Sequence, residues 1–335
     1  MTVLRLCLIG CGHMGRLRAR AALAGTTPVA LTVADALPDA SERLGRELGV
    51  PEASLEAALT GDFDAFVLAS SAPAHAGQLR LLARRGKPVF CEKPLAGSLA
   101  ELDAGWPEIR LLEGLLQIGF NRRHDVAHLR LKGRMDAGEI GRPEQIRIVG
   151  RDHVPPRPDG LGNSAGMIAE TSIHDLDKAR WLMGEDFVEV MAFGAAVIDP
   201  RYAEVNHVDT VTIVLRTADG RQAIVQNGWR TAYGCDQRVE VFGSGGELSL
   251  DNPSASQAAD EPGPVRRRGR TFPGWAERYE ESFAAETTAF LETVLRGALP
   301  SPGLADGLAA QRLVDAARRA LVSGRVEPVV RRDPA

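Results

Sequence analysis

Lys93 lies in Glu92-Lys93-Pro94, just past a short apolar run that ends at Cys91. An ammonium there would stabilise negative charge on an oxygen whose carbon gives up hydride. Only four of the 40 basic residues are lysines, at positions 87, 93, 132 and 178. Coding bias accounts for that ratio, yet a lysine among arginines also offers a compact, tunable cation. The proline beside it would fix the backbone, with a cis peptide as one means; the competing reading is an ordinary surface turn. A second cluster runs Glu170-Thr171-Ser172-Ile173-His174-Asp175-Leu176-Asp177. Residues four apart share a helix face, so Glu170 and His174 are neighbours. A histidine beside a carboxylate suits a general base that takes a hydroxyl proton. The competing reading is a cap, with Thr171 or Ser172 at the helix start, Asp175 favouring the dipole and His174 merely hydrogen-bonded. The other histidines (13, 75, 124, 128, 153 and 207) are isolated. His75 follows Ser70-Ser71-Ala72-Pro73 and either borders a ligand or starts a helix.

A hydride needs an acceptor, and the N-terminus offers a site for one. Val3 to Ile9 has a buried strand's composition, and Gly10-Cys11-Gly12-His13-Met14-Gly15 follows before a helix-forming stretch from Arg16 to Leu23. Strand, G-x-G-x-x-G turn and helix is the order a dinucleotide pyrophosphate requires. Gly10 permits the tight turn, Gly12 lets backbone approach the phosphates, and Gly15 lets the helix pack on the strand. The helix N-terminus favours negative charge, and His13 and Met14 within the turn are expected to border the cofactor. Asp35 ends the next strand 20 residues after Gly15. A carboxylate there accepts from ribose hydroxyls and repels a 2′-phosphate, so NAD is expected over NADP. Ser70, Glu92 and Lys93, at later strand ends, are expected to border the same cofactor.

The elements that must position these residues change character near residue 122. Up to there strands alternate with helices (Ala40 to Leu48, Ser54 to Leu59, Ala76 to Arg85), which implies a parallel, doubly wound sheet with its ligand at the strands' C-terminal ends. Residues 1–122 are therefore assigned to a dinucleotide-binding domain and 123–335 to a second domain. That second part combines helices at Asp125 to Ala137, Ser172 to Met183, Glu277 to Leu295 and Leu304 to Ser323 with alternating runs at Gln145 to Arg151, Val188 to Val197, Thr210 to Arg216, Gln222 to Trp229, Gln237 to Phe242 and Glu247 to Leu250. Such runs predict an α+β domain around a large, mostly antiparallel open sheet. Asn252 to Pro273 reads as a loop, and its Arg266-Arg267-Arg268 with Arg270 as solvated charge, or less simply as a phosphate or subunit contact.

With 335 residues, 44% hydrophobic and 25% charged, the chain has the composition of an ordinary globule. A net charge of −4 gives no reason to expect nucleic acid or a membrane surface as partner. No apolar run is long enough to span a bilayer, and no signal peptide is evident at the N-terminus. Cys7, Cys11, Cys91 and Cys235 form no C-x-x-C pair. They are expected to be reduced, structural and cytoplasmic, with no metal site.

Taken together, Gly10 to Gly15, Cys91-Glu92-Lys93-Pro94, Gly119-Phe120-Asn121-Arg122-Arg123, Ile173 to Asp177 and Asp236-Gln237-Arg238-Val239-Glu240-Val241-Phe242-Gly243 resemble the glucose-fructose oxidoreductase / inositol dehydrogenase / rhizopine-catabolism (Gfo/Idh/MocA) family over nearly the whole chain. The inositol 2-dehydrogenase branch is the most similar. The resemblance implies a Rossmann domain plus a domain whose open sheet mediates dimers or tetramers. It also implies NAD-dependent oxidation of a cyclitol, with Lys93 as catalytic lysine and His174 as proton acceptor. Glu170, Asn121, Arg123, Asp152 and Tyr233 would bind substrate, and Tyr279 could reach it. Inositol dehydrogenases usually carry Asp four residues before the histidine, commonly after Arg; this chain has Ala169-Glu170. His124 stands where an aromatic residue followed by Asp-Pro is frequent. These departures leave open an aminocyclitol or amino-sugar dehydrogenase, a keto-sugar reductase and a cofactor-sensing regulator without turnover.

Overall fold

The computed structural model describes residues 3–158, 165–252 and 271–330. The arginines at 266–268 and 270, and most of the expected loop around them, lie outside these residues. The described chain forms two compact units. One takes in the N-terminal residues to His124 together with Glu281–Gln311; the other takes in Asp125–Glu280 and Arg312–Arg331.

The first unit is a six-stranded parallel sheet in the order β3-β2-β1-β4-β5-β6. Its strands are β1 (Leu4–Ile9), β2 (Val29–Asp35), β3 (Glu52–Ser54), β4 (Ala65–Leu68), β5 (Val89–Cys91) and β6 (Leu116–Ile118). Helices α1 (His13–Ala24), α2 (Pro38–Leu48), α3 (Leu55–Thr60), α4 (Ala72–Ala83) and α5 (Leu99–Ile109) connect them. Because strand order reverses at β1, the crevice beside its C-terminal end is where a doubly wound sheet takes its ligand. Continuous apolar runs such as β4, buried at every residue, belong to a sheet covered on both faces. The core gathers Leu6, Leu8, Val33, Val67 and Phe90 with Phe290 and Leu291. Ser54 caps α3 by accepting from Ala57 N at 3.1 Å. Nothing in the sequence pattern announced α5, which Ser98 caps through Glu101 N and which carries Pro107 inside it.

The second unit holds α6 (Val126–Asp136), α7 (Ile173–Met183), α8 (Arg201–Glu204) and α9 (Trp275–Arg278). Helix α10 (Glu280–Arg296) starts at its boundary, and α11 (Leu304–Ser323) passes from the first unit into it. Its sheet has seven strands: β7 (Pro143–Arg151), β8 (Phe187–Ala195), β9 (Thr210–Thr217), β10 (Gln222–Gly228), β11 (Asp236–Gly243), β12 (Gly246–Leu250) and β13 (Glu327–Pro328). The order is β12-β11-β7-β10-β9-β8-β13. Only β7 and β10 pair in parallel; the other pairings are antiparallel. Alternation leaves one face buried, with Ile148, Val225 and Ile213 inward and Leu176, Ala179 and Leu182 of α7 in the same core. The other face exposes Phe193, Ile224 and Phe242.

Candidate active site

In the first unit a cavity of about 560 Å³ opens at the C-terminal ends of β1, β2 and β4. Of the nine residues expected at a cofactor, Gly10, Gly12, His13, Met14, Asp35, Ser70, Glu92 and Lys93 line it. The ninth, Gly15, acts from behind. A Cβ on Gly15 would lie 1.7 Å from the Gly10 carbonyl oxygen, and one on Gly10, at φ +103°, would lie 2.4 Å from the Ala69 backbone. Both glycines are demanded by the protein itself. Gly12 is different: a Cβ there would meet nothing within 4 Å. Bare backbone facing open space at a helix N-terminus is what a phosphate needs. Asp35 is fixed by its own turn, accepting from Cys11 N at 2.6 Å and Leu37 N at 2.9 Å. Each carboxylate oxygen keeps a second lone pair for a ribose hydroxyl.

Lys93 follows Glu92 at the end of β5, and the Lys93–Pro94 peptide is cis. His75, in α4, is buried between two turns of this cavity: Nδ1 lies 2.6 Å from Pro94 O and Nε2 3.0 Å from Ser70 O. Burial depresses its basicity, and a neutral imidazole donates to only one of these carbonyls. Its place is thus structural support for the cavity wall. Ser70 Oγ donates to Gln78, a cavity residue the motif did not reveal.

Asn121 is fully buried; its amide donates to Ser282 Oγ at 2.8 Å and accepts from Arg122 at 2.8 Å. Arg123 pairs with Asp306 at 3.0 Å. Both side chains brace their own unit.

In the second unit His174 stands in the first turn of α7, and a π-helical turn, Ile168–Ser172, precedes it. Such turns recur at functional sites. The wider turn carries Glu170, whose Oε1 accepts from Ala165 N at 3.0 Å. Arg318 of α11 donates to the Ala165 carbonyl. Burial pulls the Arg318 guanidinium down from its usual value, and the Glu170 charge opposes that shift. Arg318 is thus a cation within electrostatic reach of Glu170. Beside His174, Asp175 is locked by Lys178 Nζ at 2.9 Å and Asn227 Nδ2 at 2.7 Å. Gly150 makes that possible, since a Cβ there would come within 2.4 Å of Asp175 Oδ2. Trp229 Nε1 donates to Thr171 at 3.1 Å. None of Lys178, Asn227, Gly150 or Arg318 carries a local motif.

Asp152 follows β7 and its N–H donates to Gly228 O. Tyr233 donates to Asp236 at 2.7 Å; burial, with that carboxylate, raises its phenol. Tyr279 is fully buried, bonded to Gln237 at 3.2 Å, with the Arg278 guanidinium 4.6 Å from its ring centre. It belongs to the core of the unit and does not line a surface. The four cysteines are free and buried, and burial pushes the Cys7 and Cys11 thiols up to about 12. Among the described residues no helix is long and apolar enough to cross a membrane.

A doubly wound sheet with a phosphate-ready glycine turn and a ribose carboxylate defines a dinucleotide-dependent oxidoreductase. Over residues 4–120 the chain matches the model of the oxidoreductase family with an NAD-binding Rossmann fold, and over 128–249 that of the GFO/IDH/MocA C-terminal domain. The chain belongs to the Gfo/Idh/MocA family, and its cofactor is NAD. It is 35% identical to the inositol 2-dehydrogenase of Rhizobium meliloti over 97% of this chain and 98% of that one. Identity to the myo-inositol 2-dehydrogenase of Thermotoga maritima is 34%, over 95% and 96%. A solved structure of a putative myo-inositol dehydrogenase from Sinorhizobium meliloti superposes with a TM-score of 0.90 at 34% identity, covering 98% of this chain and 100% of that chain. A Corynebacterium glutamicum myo-inositol dehydrogenase gives the same TM-score at 30%, covering 99% and 100%.

Proposed function

We propose that this protein oxidises a secondary alcohol of a cyclitol, of the myo- or scyllo-inositol type, to the ketone. NAD, when bound, accepts the hydride. His174 takes the hydroxyl proton, Lys93 stabilises the oxygen as it gains negative charge, and one alcohol yields one ketone, one reduced cofactor and one proton. The observation that carries the reading is Lys93 on the wall of the cavity that Gly12 leaves open. Asp152, Glu170 and Tyr233 are the second unit's candidates for ring hydroxyls, and Asn121 and Arg123 contribute by bracing the first unit. Glu170 already answers Arg318, so its extra methylene does not call for an ammonium on the ring, which favours a plain cyclitol over an aminocyclitol.

The test is NAD reduction with myo-inositol, scyllo-inositol, an amino-inositol and glucose, repeated with NADP. Turnover of a plain inositol with NAD supports the proposal; silence on both inositols beside turnover of the amino form overturns the substrate class. Wild-type turnover by both Lys93→Ala and His174→Ala would overturn the mechanism. The exposed Phe193, Ile224 and Phe242 on the open sheet support a homodimer or homotetramer through that face, which light scattering would measure. Four reduced, buried cysteines are in keeping with work in the cytoplasm.

A further inference from the structure

Arg18 is the most thoroughly enclosed cation of the first unit, 1% exposed on α1. Its guanidinium lies 4.4 Å from the centre of the Phe90 ring and 5.2 Å from that of Phe283. Nε donates to Glu92 Oε1 at 2.8 Å, Nη2 to Glu286 Oε2 at 2.5 Å, and Nη1 to Phe283 O and Thr287 Oγ1 at 3.2 Å. One cation thus serves two buried carboxylates, from β5's end and from α10. On its other side Glu92 is confined by Gly119, where a Cβ would fall 2.9 Å from Oε2. Glu92 is the residue before Lys93, and both line the cofactor cavity.

We infer that Arg18 and Glu286 are positioning residues for the oxidoreductase reaction: acting through Glu92, they hold the turn that carries Lys93 in one arrangement. This rests on the reading of Lys93 given above. A purely apolar filling would pack α1 on the sheet at lower desolvation cost than three buried charges. What the charges add is direction: the guanidinium fork fixes both the distance and the angle of the Glu92 carboxylate, and α1, which begins the phosphate turn, is the helix that supplies the fork.

Arg18 is the one cation that bonds both carboxylates. Arg122 and Lys93 are the further cations near it. His75 and His124 are held neutral by burial, the latter down to about 4, and the Cys91 thiol is raised well above its usual value. Burial and the Glu92 charge lift Glu286 to about 7, against the pull of Arg18 and Arg122. Glu286 Oε1 has no hydrogen-bond partner among the described residues, which suits a protonated carboxyl poorly anchored at that oxygen. Arg18 holds both carboxyls through different nitrogens, and a protonated Glu286 can still accept from it, so what changes near neutrality is the charge that Glu286 places beside the fork.

Arg18→Lys, Glu286→Gln and Lys93→Ala separate the possibilities, measured as kcat and KM for NAD from pH 6 to 9 with the preferred inositol, and as backbone amide exchange in residues 89–96. A lysine cannot span both carboxylates. Arg18→Lys should lower kcat about tenfold with KM for NAD within about threefold, since small misplacements are costly, and should speed exchange in that segment. Glu286→Gln still accepts from Arg18 but cannot ionise, so its kcat at pH 8.5 relative to pH 6.5 should exceed the wild-type ratio by about threefold or more. Wild-type kcat and exchange in Arg18→Lys, with Lys93→Ala inactive, would overturn the inference while leaving the lysine's role intact. So would a Glu286→Gln pH profile that superposes on the wild type, and that variant decides alone if Arg18→Lys does not fold. Normal turnover by Lys93→Ala would overturn the lysine's role, and amide exchange would then still report whether Arg18 holds the turn.

Discussion

Arg18 in the first unit divides itself between Glu92 and Glu286, whereas in the second unit the buried Asp175, Asp125 and Asp236 each have a cation of their own. Asp175 has Lys178. Asp125 has Arg278 at 2.7 Å and a hydrogen bond from the uncharged His128 at 2.8 Å. Asp236 has Arg151 and Arg238. The physical results are opposite. Where one fork serves two acids, one carboxyl is lifted to about 7. Where partners are in excess, hydrogen bonds and charge outweigh burial and hold Asp125 and Asp236 far below the carboxylate range. The first arrangement can change charge near neutral pH; the second is locked across it. The two arrangements are built from the same residue types in different ratios.

The largest effect that could break this contrast is expected at Lys178→Met. It strands a buried Asp175, and losing one partner of a buried pair costs about 3–5 kcal/mol. The loss should be the same at pH 6 and pH 8 by thermal or denaturant unfolding; a loss that changes steeply across that range would mean the second unit is not locked. Asp125→Asn comes next, at about 2–4 kcal/mol, because it removes the carboxylate charge that faces Arg278 and His128 while an amide oxygen remains to cap α6. The sign follows from the depressed pKa. Asp125 stabilises above the unfolded value near 3.8 and loses that as pH falls through it, so wild type and variant should converge in acid. His128, held down to about 4 by burial, gives a smaller signature of the same sign at higher pH. The unfolded chain takes up its proton below about 6.5, so stability declines as pH falls from there to about 4. Glu286, raised, contributes stability that is lost as pH climbs from about 4.5 to 7. Unfolding free energies of His128→Gln and Glu286→Gln relative to wild type should therefore drift in opposite directions across pH 4.5–7, by up to about 3 kcal/mol each; parallel drifts would erase the distinction between the two units. The smallest expected effect is at Arg318→Ala, about 1 kcal/mol in the kcat/KM of inositol oxidation through a less constrained Glu170; no change in kcat/KM would confine Arg318 to holding Ala165.

The glycine turn, Asp35 and Lys93 could be read from the sequence because their chemistry is local: a turn, a strand end and a cavity wall lie within a few residues of the signal. Period-two and helical spacing gave β7 to β12 and α7 for the same reason. The charged clusters gave no such sign. Arg18 and Glu286 are 268 residues apart, and each taken alone is an ordinary helix residue. Asp175, Asn227 and Gly150 meet only once β7 and β10 pair in parallel. Helix α5 escaped because Pro107 argues against a helix. From the resemblance Tyr279 is expected to be able to reach substrate; its hydroxyl bonds Gln237 on β11, a partner 42 residues away that no local pattern links to it.

Gly10 and Gly15 leave the phosphate turn almost no room to vary: any side chain at either collides with backbone that has nowhere to go. Leu37, two residues past Asp35, is 68% exposed, and both Ala36 and Leu37 border the cavity. Drift or design that seeks a different coenzyme is thus channelled away from the best-known signature of the site into the three residues Asp35, Ala36 and Leu37. A library confined to that stretch leaves the close packing around Gly10 and Gly15 untouched.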